Sequence, residues 1–282
     1  MMLKIGLLGL DAAGKTAFLA ALSKTYTAMI DIKPTKGIER SEKDIMGQVV
    51  GIWDYGGQQA YRDRYLRSAR DLAGLSLVFY LVDVQNPERL DESVSYLKDL
   101  LEKMGDFDQG NLIVCFHKYD PDRQDVLKDQ LNTAWERMES VAEDAFAFLP
   151  TSIFDEKTIL RAFSMGLRKA TVKESIIGME VEKAWKEAGA KGAVVLTSER
   201  YVITSQAPDE IIAEEMEGIA MSLATLCQSV TGHFEEIVGR HSLGDFRFDK
   251  TTAAGRDYFI LVVGTKDRAV LEKMEPIFER IA

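Results

Sequence analysis

Apolar runs of strand length alternate with helix-spaced apolar stripes along the first 172 positions. Residues 3–8 form a short apolar strand, a glycine-bearing loop covers 9–16, and 17–23 reads as the helix behind it. Apolar runs at 49–53, 75–82, 112–116 and 147–151 predict further strands, and 75–82 has the near-continuous pattern of a strand covered on both faces. The segment 26–37, carrying Pro34 and Thr35, reads as a loop. Helices are predicted at 61–70, after Pro87 through Leu90, Val94, Leu97 and Leu101, at 125–146 with Leu127, Leu131, Trp135 and Met138 on one face, and from 156 to about 171. This alternation predicts an α/β, doubly wound, mostly parallel sheet with helices on both faces. Its ligands should sit at the carboxyl ends of the strands.

The pattern then changes. A helix at 174–188, strands at 193–197 and 200–204, a helix at 210–230, strands near 233–238, 245–248 and 257–263, and a helix at 266–281 follow. The order α-β-β-α-β-β-β-α predicts an α+β domain, one antiparallel sheet with helices packed on it. The expected organisation is therefore two domains, 1–172 and 173–282.

Composition narrows the partners. The 282 residues are 46% hydrophobic and 28% charged, with a formal net charge of -10. An acidic balance opposes a nucleic-acid grip, which needs excess Lys and Arg, and weakens adhesion to anionic lipid. Two cysteines, Cys115 and Cys227, predict no disulfide framework and read as buried small hydrophobes of a reducing cytosol. No run of 18 apolar residues, no signal peptide, no Gly at position 2 and no prenylation cysteine are present. A cytoplasmic protein without its own membrane anchor is expected, any membrane recruitment coming through a partner.

The loop after the first strand is Gly9-Leu10-Asp11-Ala12-Ala13-Gly14-Lys15-Thr16, which fits G-x-x-x-x-G-K-[ST] in the strand–loop–helix context that pattern requires. Backbone N–H groups of such a loop and helix start cradle phosphate oxygens. The candidate phosphate-binding residues are thus Gly9, Asp11, Ala12, Ala13, Gly14 and Ala17, with Lys15 as a point charge at the β- and γ-phosphates. The Thr16 hydroxyl is a candidate Mg²⁺ ligand. Asp54-Tyr55-Gly56-Gly57-Gln58 closes the strand at 49–53. A carboxylate at Asp54 suits Mg²⁺ held partly through water, Gly57 lets backbone approach a γ-phosphate, and Gln58 is placed to orient an attacking water. Thr35 can complete the Mg²⁺ shell. After the strand at 112–116 comes His117-Lys118-Tyr119-Asp120. The Asp120 carboxylate can accept from both N1–H and the exocyclic amine of guanine, a pair adenine lacks. Lys118 can lie along the base, and the backbone at Ser152 and Ile153 can meet the guanine oxygen.

Together these motifs resemble the Ras-like small GTPases. The phosphate loop and the run Trp53-Asp54-Tyr55-Gly56-Gly57-Gln58 are similar to the Arf and Rag branches. His117 in place of the usual Asn, with Thr151-Ser152-Ile153-Phe154-Asp155-Glu156, resembles the Rag (Gtr-type) branch, as an archaeal or early-branching member would. That branch carries a C-terminal roadblock domain whose element order is similar to the one read above. The resemblance implies a switch that binds GTP or GDP with Mg²⁺, a roadblock-mediated homo- or heterodimer, and work with an exchange factor, an activating protein and effectors. Asp11 stands where Ras-type members often carry Gly and where a side chain can obstruct an arginine finger. The Arf branch carries Asp there, so slow but not absent hydrolysis is implied. With Asn replaced by His117, guanine selectivity falls mainly to Asp120.

The expected catalytic residues are Gln58 and Lys15. Arg62, Arg64, Arg67 and Arg70 read as solvated charges or partner contacts, not as an arginine finger in cis. His233 and His241 lack metal-ligand spacing, and Glu214-Glu215 reads as a solvated helix face. Two other readings stay open: a P-loop ATPase or kinase, and a non-enzymatic dimeric scaffold in which nucleotide is structural.

Overall fold

The computed structural model describes residues 2–23, 33–45, 48–229, 234, 236–253 and 255–281. The chain divides into two compact units, Met1–Ala162 and Phe163–Ala282. In the first, strands β1 (Leu3–Gly9), β2 (Ile38–Ile45), β3 (Gln48–Tyr55), β4 (Leu77–Asp83), β5 (Leu112–His117) and β6 (Ala147–Thr151) form one sheet in the order β2-β3-β1-β4-β5-β6. All neighbours run parallel except β2, which pairs antiparallel with β3. The helices are α1 (Lys15–Leu22), α2 (Gln59–Arg67), α3 (Leu90–Met104), α4 (Gln124–Glu139) and α5 (Glu156–Ala170), and the dividing point between the units falls within α5.

Alternation along β4 splits the core. Val78, Tyr80 and Val82 join Tyr96 and Leu97 of α3 and Leu127 and Met138 of α4 on one face. Phe79, pointing the other way, meets Phe18 of α1 with ring centroids 5.9 Å apart. Helices therefore cover both faces, as the near-continuous apolar runs require. The register aligns the strand ends: Leu7 pairs with Asp54, Gly9 with Leu81, Asp83 with His117 and His117 with Thr151. The loops that carry every motif therefore leave the sheet along one edge.

Two expectations are corrected here. Residues 38–45 form a strand that periodicity does not announce. β2 reads Ile-Glu-Arg-Ser-Glu-Lys-Asp-Ile and is mostly exposed on both faces, so only its ladder with β3 defines it. The helix predicted at 125–146 ends at Glu139. Apolar spacing continues through Ala142 and Ala145, but the chain turns so that Phe146 N–H reaches Leu112 O at 2.8 Å and β6 can pair with β5. Part of the loop predicted at 26–37, residues 26–32, lies outside the described residues, as do Val230 and His233.

The second unit contains α6 (Val172–Glu187), β7 (Gly192–Thr197), β8 (Val202–Gln206), α7 (Glu210–Ser229), β9 (Glu236–His241), β10 (Gly244–Ala253), β11 (Arg256–Val263) and α8 (Ala269–Ile281). Its sheet has the order β8-β7-β11-β10-β9 with every pair antiparallel, as the element order predicts. The β7–β8 turn carries Arg200 at φ 71. Cys115 is buried in β5, whereas Cys227 of α7 is half-buried.

Candidate functional site

The loop between β1 and α1 is held by backbone contacts that exclude side chains. Gly9 has φ 136, and a Cβ there would overlap the Leu81 carbonyl of β4; at Gly14, φ 93, it would overlap the His117 ring. Ala12 takes the left-handed conformation, φ 58, which costs on the order of 1 kcal/mol in a non-glycine residue. Asp11, Ala12, Gly14, Lys15, Thr16 and Ala17 line a cavity of about 360 Å³ together with Lys33, Thr35, Gly57 and Gln58. Gly9 and Ala13 lie behind its wall, both buried. Lys15 Nζ donates to Leu10 O at 2.7 Å and Gly9 O at 3.1 Å. Burial pulls its pKa down to about 8, against the opposing charges of Asp54 and Asp11.

Beside Lys15, Thr16 Oγ1 donates to Asp54 Oδ2 at 2.7 Å, Thr35 Oγ1 donates to the same oxygen at 3.0 Å, and the two hydroxyls lie 3.1 Å apart. Asp54 is 3% exposed. Its Oδ1 is buried with no hydrogen-bond partner among the described residues. Burial raises the Asp54 pKa, while the two hydroxyls and Lys15 oppose the rise.

The two glycines after Asp54 clamp in different directions. Gly56 N–H donates to Gly37 O at 2.7 Å, and a Cβ on Gly56 would lie 2.6 Å from Thr35 O. Gly57 O accepts from Asp11 N–H at 3.0 Å, and a Cβ on Gly57 would overlap the Leu10–Asp11 peptide. Gln58 occupies the N-cap position of α2 without a side-chain capping hydrogen bond and is exposed.

At the far end, Lys118 is left-handed, φ 65, and its Nζ pairs with Asp83 Oδ2 at 2.6 Å. Asp120 is 9% exposed; its Oδ1 accepts from Ser152 Oγ at 2.6 Å and its Oδ2 from Gln85 Nε2 at 2.7 Å. Ile153 is half-buried beside Ser152. His117, predicted as a nucleotide-binding position, is 1% exposed beneath Gly14, with Nδ1 3.0 Å from Thr151 Oγ1. Burial, then the Lys118 charge, pushes its pKa down to about 3, so the ring stays neutral and props the phosphate loop from below.

An ion network joins the phosphate loop to the helix after Gln58. Arg89 donates to Asp11 Oδ1 at 2.8 Å and Asp11 O at 3.1 Å, and pairs with Glu92 at 3.0 Å; Glu92 in turn pairs with Arg62. Arg62 is 7% exposed and its Nε has no hydrogen-bond partner among the described residues, which corrects its reading as a solvated charge. Arg64, Arg67 and Arg70 are exposed or largely so, as expected.

Residues 4–229 match the Gtr1/RagA G protein conserved region. The chain belongs to the Gtr1/RagA family. It is similar to Ras-related GTP-binding protein A of Dictyostelium discoideum, 23% identical over 255 residues, 85% of this chain and 83% of that protein. GTP-binding protein gtr1 of Schizosaccharomyces pombe is 22% identical over 246 residues, 82% of this chain and 79% of that protein. ADP-ribosylation factor-like protein 8b of Arabidopsis thaliana is 33% identical over 101 residues, 36% of this chain and 53% of that protein. Among solved structures, the Arl6 BBS3 small GTPase from Trypanosoma brucei with bound GppNp shares 15% identity, with a TM-score of 0.47 over 60% of this chain and 98% of that one.

As a Gtr1/RagA-type small GTPase the chain is a GTP-binding, nucleotide-dependent switch, and the resemblance of its motifs to the Rag-type small GTPases is borne out. Three polar side chains of this family member escaped the sequence reading: Gln85, Arg89 and Glu92. All lie between β4 and the first turn of α3, in a stretch without glycine or motif, and only the fold brings them to the site. Among the described residues, no helix is long and apolar enough to cross a membrane.

Proposed function

We propose that this Rag-type GTPase hydrolyses GTP slowly to GDP and phosphate with Mg²⁺, in a GTPase part spanning 1–172, and dimerises through a roadblock-like part spanning 173–282. The observation that carries the reading is the triangle of half-buried Thr16 with buried Thr35 and Asp54 at the phosphate-loop cavity. Two hydroxyls and a carboxylate are the hard oxygen donors Mg²⁺ prefers, and Asp54 Oδ1, without a hydrogen-bond partner among the described residues, is a buried anion position a cation would satisfy. Bound by these three residues, Mg²⁺ would neutralise charge on the β- and γ-phosphate oxygens. Lys15 adds its own charge there, and the backbone of Ala12, Ala13, Gly14 and Ala17 supplies phosphate donors, the Asp11 N–H being given to Gly57 O. Gln58 orients the attacking water for in-line displacement. Asp120 reads guanine, with Lys118 along the base and the Ser152–Ile153 backbone at its oxygen. Because Thr35 and the Asp54–Gly57 turn touch each other and the cavity, loss of the γ-phosphate releases both.

Dimerisation is supported by β9, the outermost strand of its sheet, with Val238 exposed, and by exposed Ile211 and Leu226 on α7. Exchange factor, activating protein and effectors complete the switch, and any membrane recruitment runs through them.

The test is nucleotide extraction from the purified protein, then GTP and ATP turnover side by side with Mg²⁺ and with chelator. Co-purified guanine nucleotide and Mg²⁺-dependent turnover of GTP alone are expected. ATP turnover at the same rate would defeat the base-site reading. Guanine binding with turnover at background would instead favour the dimeric scaffold.

A further inference from the structure

Gln85 sits in the turn between β4 and α3 and belongs to no motif. Its Nε2 donates to Asp120 Oδ2 at 2.7 Å and to Lys118 O at 2.8 Å, and its Oε1 accepts from Arg123 Nη1 at 2.7 Å. These partners fix which end of the amide is nitrogen. The other oxygen of Asp120 accepts from Ser152 Oγ at 2.6 Å.

An ionised carboxylate offers about four lone-pair positions, two on each oxygen. One protein donor on each oxygen therefore pins the carboxylate plane and leaves one position on each for an incoming donor. Guanine presents two side-by-side donors, N1–H and the exocyclic amine, that match such a pair. Hypoxanthine presents N1–H alone. A carboxylate free to turn about its Cβ–Cγ bond can still meet one donor well, so loosening it removes chiefly the second contact.

We propose that Gln85 is a specificity-determining positioning residue of the base site. It sets the rotation of Asp120 so that both guanine donors are accepted at once, and it acts through Asp120 without touching the nucleotide. The inference rests on the reading of Asp120 as the guanine acceptor.

The test measures affinities of the whole chain for GDP, IDP and XDP in the wild type and in Gln85→Ala, Gln85→Glu and Asp120→Asn. IDP lacks the exocyclic amine, and XDP carries an oxygen in its place. The wild type should prefer GDP over IDP, and Asp120→Asn, whose amide can donate to that oxygen, should shift preference towards XDP. Gln85→Ala should lower the GDP-to-IDP preference about threefold to tenfold, the scale of one hydrogen bond, with IDP affinity nearly unchanged. Gln85→Glu keeps the shape but loses the donor, and should lower the preference at least as far. A preference retained in both Gln85 variants, whether affinities hold or fall together, overturns the positioning role. A wild type indifferent to GDP and IDP, with Asp120→Asn unchanged, overturns the base-site reading itself.

Discussion

At the phosphate end of the site glycine backbone is pressed against its neighbours, whereas at the base end side chains hold one another. Gly57 lies so close to the Leu10–Asp11 peptide, and Gly14 to the His117 ring, that no other residue fits. Asp120, by contrast, is oriented by Ser152 and Gln85, and Gln85 in turn by Arg123 and the Lys118 carbonyl. Close backbone approach is all-or-none, because interiors are packed too densely to absorb an added methyl. A network of side-chain hydrogen bonds degrades in steps, each worth about 1 kcal/mol. The two ends should therefore fail differently.

The largest separation is expected from Gln58→Leu. Its side chain is exposed at the cavity and makes no hydrogen bond among the described residues. Single-turnover GTP hydrolysis should fall about 10²-fold, the scale of losing water positioning, with GTP affinity and guanine preference intact. Turnover at the wild-type rate would remove Gln58 from the mechanism. Next comes Gly57→Ala. Forcing a methyl into the Leu10–Asp11 peptide should cost about 1–3 kcal/mol, hence roughly fivefold to 150-fold in GTP affinity by titration calorimetry. The GDP-to-IDP preference should hold. If that preference falls in parallel, the two ends are not separately built and the contrast fails.

The same contrast explains what was legible in the sequence. Gly9, Gly14, Gly56 and Gly57 stand where only glycine fits, so the phosphate loop and the Asp54 turn show in the sequence as spacing. The parallel strands show too, because β4 and β5 are buried along nearly all their length. Gln85, Arg89 and Glu92 were not legible, because a glutamine or arginine in a loop is compatible with any surface until the fold supplies its partner. Arg62 read as solvated for the same reason: nothing local says that Glu92 will cover it. β2 escaped because an edge strand exposed on both faces leaves no apolar alternation.

His117 belongs to both ends, lying under Gly14 and bonding Thr151, and its effect should be intermediate. In the unfolded chain it titrates near the ordinary value of 6.5, while in the fold burial holds its pKa at about 3. Between those values the unfolded chain carries one more proton than the native state. Stability should therefore fall by about 1.4 kcal/mol per pH unit from this residue as pH drops below 6.5, and be fully present above it. Thermal melts of wild type and His117→Asn, whose amide can still bond Thr151, should converge as pH falls. Parallel curves would mean that the folded ring takes up its proton.

The smallest effect is expected at Asp11. Asp11 lines the phosphate cavity, where its charge repels an incoming anion, and Arg89 covers its carboxylate. Burial would raise the Asp11 pKa, but the Arg89 hydrogen bond and charge outweigh that and hold it below the usual carboxylate range. The side chains are 29% and 44% exposed, so solvent screens the pair and its coupling should be about 0.2–1 kcal/mol. Arg89→Ala should then lower GTP affinity about two- to fivefold, and GDP affinity less, because GTP carries more charge towards the uncovered carboxylate. Adding Asp11→Asn should restore affinity, since the repulsion disappears with its source. Raising the ionic strength should shrink the Arg89→Ala deficit in the same way, because the Debye length shortens. If the deficit persists in the Asp11→Asn background or at high salt, Arg89 acts by holding Glu92 and Arg62 in place, and the phosphate loop is coupled to α2 by packing and not by charge.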